Sequence, residues 1–195
     1  EIDAIALENT RRVLEAFQKH RVSDSCLTGT TGYGYNDKGR DTLDKIYADV
    51  FGAEAALVRI GFVNGTHAIT AALFAGVKTG DVILSVTGAP YDTLRGVIGI
   101  TGDYPGSMRD YGIGYREVGL LPDGSPDFAA IEKAAADKAV KSVFIQRSRG
   151  YSDRPALTVA QIGEIIACVR KANPGAHVVV DNCYGEFTET AEPTH

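Results

Sequence analysis

The chain has few cysteines and no long apolar run. Its three cysteines, Cys26, Cys168 and Cys183, are odd in number and lack CxxC spacing, so they indicate neither a disulfide framework nor a metal site of the zinc type. No apolar run approaches the ~20 residues that a membrane-spanning helix requires, and no signal peptide opens the chain. We therefore expect a cytoplasmic protein that does not bind a membrane.

The chain also lacks an excess of positive charge. Its 20 Lys and Arg residues stand against 25 Asp and Glu residues, which leaves a formal net charge of -5. A nucleic-acid interface needs clustered Lys and Arg, so the balance argues against a nucleic-acid partner. The 195 residues suffice for one α/β domain or for part of a larger one.

Apolar periodicity divides the chain into an N-terminal arm and an α/β region. Residues 2–20 show helical spacing, and we predict a helical arm over 1–25 followed by one domain over 26–195. Asp41 is expected to cap a second helix. Beyond it, strands alternating with helices predict a mostly parallel sheet with helices on both faces.

The individual elements follow from patterning and turn residues. A helix is predicted to begin at Ser125-Pro126, with proline at its first position, and another opens with the capping-box pair Thr158 and Gln161. The helix with the capping box is predicted over 158–172, and two further helices are predicted over 66–77 and 92–98. The predicted strands are 55–60, 82–86, 115–118, 142–146 and 177–181.

The segment HVVVDNCYGE, residues 177–186, is the most informative of these strands. A β-branched run that stops on Asp181 reads as a fully buried parallel strand. Open α/β sheets bind their ligands outside the carboxyl ends of such strands. A carboxylate there needs a positive partner, because burying it alone costs several kcal/mol. A capping or turn aspartate is the ordinary alternative, although NCYGE is a poor start for a helix.

The segment VNGTHAI, residues 63–69, places Gly65 and Thr66 at the beginning of a helix. Free N–H groups and the helix dipole make that end suitable for a phosphate, and Thr66 adds a hydroxyl. The same residues also suit plain capping by Asn64 or Thr66, with Gly65 in the turn.

Tyr91 in GAPYDTL follows the strand 82–86. A tyrosine at a strand end offers a flat face for stacking and a phenol that can give or take a proton. A half-buried structural tyrosine is the alternative.

A phosphate site, a stacking ring and a carboxylate together suit a phosphorylated aromatic cation, and pyridoxal 5'-phosphate (PLP) is the obvious candidate. The carboxylate would keep the pyridine nitrogen protonated. A dinucleotide fits less well, since no GxGxxG lies between a strand and a helix.

The combination of GYGYNDKGRDTLDKIYADVFGAEAALVR, VNGTHAI, GDVILSVTGAPYDTL and VVVDNCYGEF resembles the methionine γ-lyase-like, or aluminium-resistance, proteins. These belong to the Cys/Met-metabolism branch of fold-type I PLP enzymes. The resemblance implies the large-domain part of that fold. It implies that Gly65 and Thr66 hold the cofactor phosphate, that Tyr91 stacks on the ring and moves protons, and that Asp181 pairs with the ring nitrogen.

The resemblance further implies a homodimer or homotetramer with shared cofactor sites. Tyr35 and Arg40 are similar to the Tyr and Arg that reach the neighbour's cofactor phosphate, although the spacing differs from Tyr-x-Arg and Tyr33 is a substitute. Enzymes of this class carry a Schiff-base lysine downstream of the strand-end Asp, but no lysine follows Lys171. We therefore expect this chain to be the amino-terminal part of a longer protein.

The function implied is a PLP-dependent carbon–sulfur lyase acting on a small sulfur-containing amino acid, as methionine γ-lyase or a cystathionine lyase does. An aminotransferase and a catalytically silent binding or scaffolding domain are the alternatives. In the segment 146–149, Arg147 or Arg149 either enters the site or belongs to a solvated charge cluster.

Overall fold

The computed structural model describes residues 1–31, 33, 35–103 and 105–195. The chain forms two compact units, one of Glu1–Phe62 with Glu186–His195 and one of Val63–Gly185. The predicted arm over 1–25 and domain over 26–195 stay a prediction, and the compact units have other boundaries. Within the described residues, no helix is long and apolar enough to cross a membrane.

The first unit contains helices α1 (Ile2–Lys19), α2 (Asp24–Leu27) and α3 (Lys38–Val50). Ala16 of α1 packs with Ile46 and Val50 of α3 in a small apolar core. Asn9, buried on α1, donates from its side-chain amide to the carbonyls of Phe187 and Glu189. These bonds attach the segment 186–195 to the first helix.

Two predictions in the first unit are wrong. Helix α3 begins earlier than expected, because the Asp37 side chain rather than Asp41 caps it by accepting from the Arg40 N–H. Residues 55–60 form no strand. The Val58 N–H donates to the Asp44 carboxylate instead of a neighbouring strand, and Arg59 pairs with the same carboxylate at 2.7 Å.

The second unit is a parallel four-stranded sheet. Its strands are β1 (Val82–Ser85), β2 (Gly114–Glu117), β3 (Val140–Gln146) and β4 (His177–Asp181), in the spatial order β2-β1-β3-β4. Four of the five predicted strands are therefore confirmed. The prediction of a fully buried strand at 177–181 is wrong, since β4 lies at the sheet edge and Val178 and Val180 are half-buried.

Helices cover both faces of this sheet, because alternate strand residues point to opposite sides. Helices α4 (Gly65–Ala75) and α5 (Asp92–Ile98) cover one face, and α6 (Phe128–Ala135) and α7 (Val159–Ala172) cover the other. The apolar core under α4 and α5 includes Leu73, Ile83, Leu94, Phe144 and Val179. The apolar core under α6 and α7 includes Leu84, Ile131, Val143, Ile145 and Ile165.

The helix starts were predicted with mixed success. The capping box of Thr158 and Gln161 is confirmed at the start of α7. Helix α6 does not begin at Ser125-Pro126. It begins at Phe128, because the Asp127 side chain accepts from the Ala130 N–H and so caps the helix two residues later than expected.

Candidate active site

The carboxyl ends of the parallel strands bring the predicted strand-end residues to one edge of the sheet. Gln146 and Asp181 are register partners at the ends of β3 and β4, and both side chains are buried. They follow Phe144 and Val179 by two residues, so they share the face covered by α4 and α5. This places Asp181 on the side of the sheet where α4 begins.

Asp181 is buried, with 6% of the residue exposed. Its Oδ1 atom accepts from the Cys183 N–H at 3.1 Å, which orients the side chain at the beginning of the turn that follows β4. Asp181 is therefore a buried, oriented carboxylate at the edge where open α/β sheets generally bind their ligands, rather than an exposed turn residue.

The beginning of α4 is compatible with both interpretations of its sequence, a phosphate site and a plain helix cap. Asn64 caps the helix, since its Oδ1 atom accepts from the His67 N–H at 2.9 Å. Among the described residues, the N–H groups of Gly65 and Thr66 have no acceptor. A Cβ atom at Gly65 would meet nothing within 4 Å, so the space beside these donors is open. Capping by Asn64 thus leaves two aligned donors for an anion.

Tyr91 lies where the loop after β1 turns into α5. Its phenol donates to Thr66 Oγ1 at 3.1 Å, and Thr66 Oγ1 lies 3.1 Å from Thr93 Oγ1. Burial is the main cause that raises the pKa of Tyr91, and the negative charge of Asp181 acts in the same direction. The hydrogen bond to Thr66 opposes them. The phenol is therefore a neutral donor at neutral pH, in contact with the start of α4.

Gln146 connects Tyr91 to the strand ends. Its Oε1 atom accepts from the Tyr91 N–H at 2.9 Å, and its Nε2 donates to the Ser148 carbonyl at 3.1 Å. Its own N–H donates to Thr87 Oγ1 at 3.1 Å. Sequence reasoning gave Gln146 no role. The available signal was its position, because it is a polar residue that ends a buried strand, as Asp181 is.

The structure places the other predicted residues in the first unit. Arg40 pairs with Asp37 at 3.3 Å near the start of α3. Tyr33 and Tyr35 are highly exposed. Of the GYG segment at 32–34, Gly32 and Gly34 lie outside the described residues. The predicted contact of Tyr35 and Arg40 with a neighbour's phosphate stays a prediction.

Comparison with known proteins identifies the family of this chain. The sequence model of the methionine gamma-lyase family matches residues 1–195. This chain belongs to the methionine gamma-lyase family. The resemblance that the motifs indicated is confirmed. Protein YnbB of Bacillus subtilis is a curated relative of this chain, and the two sequences are 49% identical. The matched region covers 100% of this chain and 46% of YnbB.

Solved structures agree with this family membership. A carbon–sulfur lyase involved in aluminium resistance from Clostridium novyi matches with a TM-score of 0.94 and 48% identity, covering 99% of this chain and 46% of its own. The PLP-dependent protein YhfS of Escherichia coli is 21% identical to this chain and matches it with a TM-score of 0.67. The match covers 93% of this chain and 45% of YhfS, and at this identity it shows a shared fold alone. The predicted fold class is confirmed. This member of the methionine gamma-lyase family spans about half the length of these relatives.

The described residues fit PLP. The open N–H donors at Gly65 and Thr66 suit a phosphate, and the buried Asp181 carboxylate suits a protonated ring nitrogen. Tyr91 contacts Thr66 at the start of α4, and its ring packs against the apolar core on the sheet face that Asp181 shares. The structure thus joins Tyr91 to Thr66 at the start of α4 and places Asp181 at the end of β4 on the sheet face that α4 and α5 cover.

Proposed function

We propose that the protein is a PLP-dependent carbon–sulfur lyase that acts on a sulfur-containing amino acid, by elimination as in a methionine γ-lyase or a cystathionine lyase. The observation that carries the proposal is the buried Asp181 carboxylate, which shares its sheet face with the open start of α4 and with Tyr91. Family membership and the lyase from Clostridium novyi support it.

Each side chain has a distinct role in this proposal. Gly65 and Thr66 bind the phosphate, and Asp181 keeps the ring nitrogen protonated. When bound, PLP supplies a cationic ring that accepts electron density from the substrate's Cα. Tyr91 packs on the ring, and its neutral phenol holds the proton that a departing thiolate requires.

The assembly and the location are part of the same proposal. We place a homodimer, or a tetramer of two dimers, in the cytoplasm, with Tyr35 and Arg40 contacting the partner's cofactor phosphate. Between Asp181 and His195 there is no lysine. We propose that the Schiff-base lysine of the class lies in the part of the relatives' length that this chain does not span.

The test uses the full-length gene product. The wild-type protein should show a visible absorbance band of bound PLP, and it should release a thiol with pyruvate or 2-oxobutyrate from cystathionine or methionine without an added keto acid. Asp181→Asn should lower kcat by about a hundredfold, because the ring nitrogen loses its anion. Asp137→Asn, which alters a half-buried aspartate paired with Arg116, is the matched control and should keep the wild-type kcat.

Two results would contradict the proposal. Keto-acid production that requires an added acceptor keto acid would indicate an aminotransferase. A protein that binds no PLP would indicate a binding or scaffolding domain.

A further inference from the structure

Arg147 is a buried cation at the same sheet edge, directly after Gln146. Only 3% of the residue is exposed. Arg147 follows the last residue of β3, and its Nε donates to the carbonyl of Leu157, a residue of the core on the face opposite Gln146 and Asp181. It is therefore neither a member of a solvated charge cluster nor a side chain on the face of the candidate site.

The Arg147 guanidinium connects β3 to the turn that follows Asp181. Its Nη1 donates to Asn182 Oδ1 at 2.7 Å and to the Gly185 carbonyl at 2.8 Å. Its Nε donates to the Leu157 carbonyl at 3.1 Å. The backbone N–H of Arg147 donates to the Asp181 carbonyl at 3.0 Å. One residue thus binds both ends of the segment that begins with the predicted cofactor carboxylate.

The turn is shaped around this side chain. A Cβ atom at Gly185 would lie 2.5 Å from Arg147 Cδ and 2.6 Å from Nη1, so any larger residue would displace the guanidinium. The preceding residue, Tyr184, has a φ of 69°, a left-handed conformation that is unfavourable for a side chain of this size. Such a turn requires hydrogen bonds that hold its backbone, and Arg147 supplies two, to Asn182 Oδ1 and to the Gly185 carbonyl.

We propose that Arg147 is a positioning residue that holds the turn Asn182–Gly185 and thereby fixes the Asp181 carboxylate against the ring nitrogen of the cofactor. This inference rests on the proposed function for the identity of the ligand. The geometry of the latch, defined as Arg147 with Asn182 and Gly185, rests on the contacts alone. A purely structural arginine would stabilise the fold without affecting the cofactor.

The experiment perturbs the latch from both sides in the full-length protein. Arg147→Lys keeps the charge but loses the bidentate geometry, and Gly185→Ala displaces the guanidinium from the other side. The matched control is Arg170→Lys. Arg170 also donates to backbone carbonyls, those of Pro174 and Ala176, but at the amino end of β4, far along the strand from Asp181.

Both latch variants should lower kcat by about tenfold to a hundredfold with little change in KM, because a misplaced carboxylate affects the reaction more than substrate binding. Both should also weaken PLP affinity, measured by fluorescence titration, and speed hydrogen exchange of the amides in 182–185 in the PLP-free protein. Arg170→Lys should change only the melting temperature.

The inference is overturned if the latch variants lower the melting temperature as Arg170→Lys does and keep the wild-type kcat, PLP affinity and exchange rates. If Arg147→Lys does not fold, the milder Gly185→Ala decides by the same measurements. A wild-type protein without PLP affinity would defeat the proposed function. Faster exchange at 182–185 in the variants would then still support the latch, and unchanged exchange would overturn it too.

Discussion

At the scale of single residues, the contact between Tyr91 and Thr66 is the centre of the site. The phenol is a donor because burial raises its pKa, and its acceptor lies at the start of α4, where the phosphate is proposed to bind. A residue that touches both the phosphate end and the ring of a cofactor can couple binding to proton transfer.

Tyr91→Phe tests this role. It removes the hydroxyl but keeps the ring, so we expect kcat to fall by about a hundredfold while PLP remains bound. The matched control is Tyr115→Phe. Tyr115 is also a tyrosine whose pKa is raised mainly by burial, but its phenol donates to Glu117. Steady-state kinetics of the two variants provide the measurement, and equal kcat values would show that the Tyr91 hydroxyl has no catalytic part.

Gln146→Met tests the support of Tyr91. The change leaves the partly buried Tyr91 N–H without its acceptor, so the free energy of unfolding should fall by about 1–3 kcal/mol in urea titrations. Ser142→Ala is the control on the same strand and the same face. The buried Ser142 Oγ has no hydrogen-bond partner in the described part of the chain, so its removal should cost nothing. Similar losses in both variants would contradict this account.

At the scale of elements, local patterning predicted the helices better than their first residues. Both misplaced starts, at α3 and α6, involve an aspartate cap within a few positions of other residues that can cap. Which side chain reaches the amide three residues later depends on the path of the preceding loop. The apolar segment 55–60 failed as a strand for a similar reason, because Asp44 supplies the acceptor for the Val58 N–H.

Substitution of two helix caps, Thr158 and Asn64, can distinguish an effect on stability from an effect on ligand binding. Thr158→Ala and Asn64→Ala should each lower the free energy of unfolding by about 1 kcal/mol, since each removes an acceptor for a first-turn amide. Only Asn64→Ala should also weaken PLP affinity, because it alters the helix start that is proposed to bind phosphate. Equal PLP affinity in the two variants would argue against a phosphate at α4.

At the scale of the whole molecule, the proposed cofactor site is shared between two chains. Tyr35 and Arg40 belong to one compact unit, and Asp181 belongs to the other. In the proposed dimer, the first pair would complete the partner's site. This arrangement predicts that two different inactive proteins can restore each other.

A mixing experiment tests the shared site. Asp181→Asn and Arg40→Ala proteins should each be weakly active, but after joint refolding the mixture should recover on the order of a quarter of the wild-type activity. The reason is that half of the random dimers then carry one intact site. Mixing Asp181→Asn with itself is the control. A mixture no more active than its components would place Arg40 outside the partner's site.

The sequence by itself determined the alternation of strands and helices, the family motifs and the residues that end the strands. These features depend on periodicity and on neighbours along the chain, which a reader of the sequence can count. It therefore indicated the fold class and named Gly65, Thr66, Tyr91 and Asp181 together.

Only the tertiary structure decided which strand-end residue faces the site. Gln146 and Arg147 are adjacent polar residues. Gln146 ends β3 on the face of Phe144, whereas Arg147 donates to the carbonyl of Leu157, a residue of the core on the other face. The contacts of Tyr91 with Thr66 and Gln146 join residues 25 and 55 positions apart. Such contacts arise from the packing of whole elements, because no local pattern determines how distant segments meet.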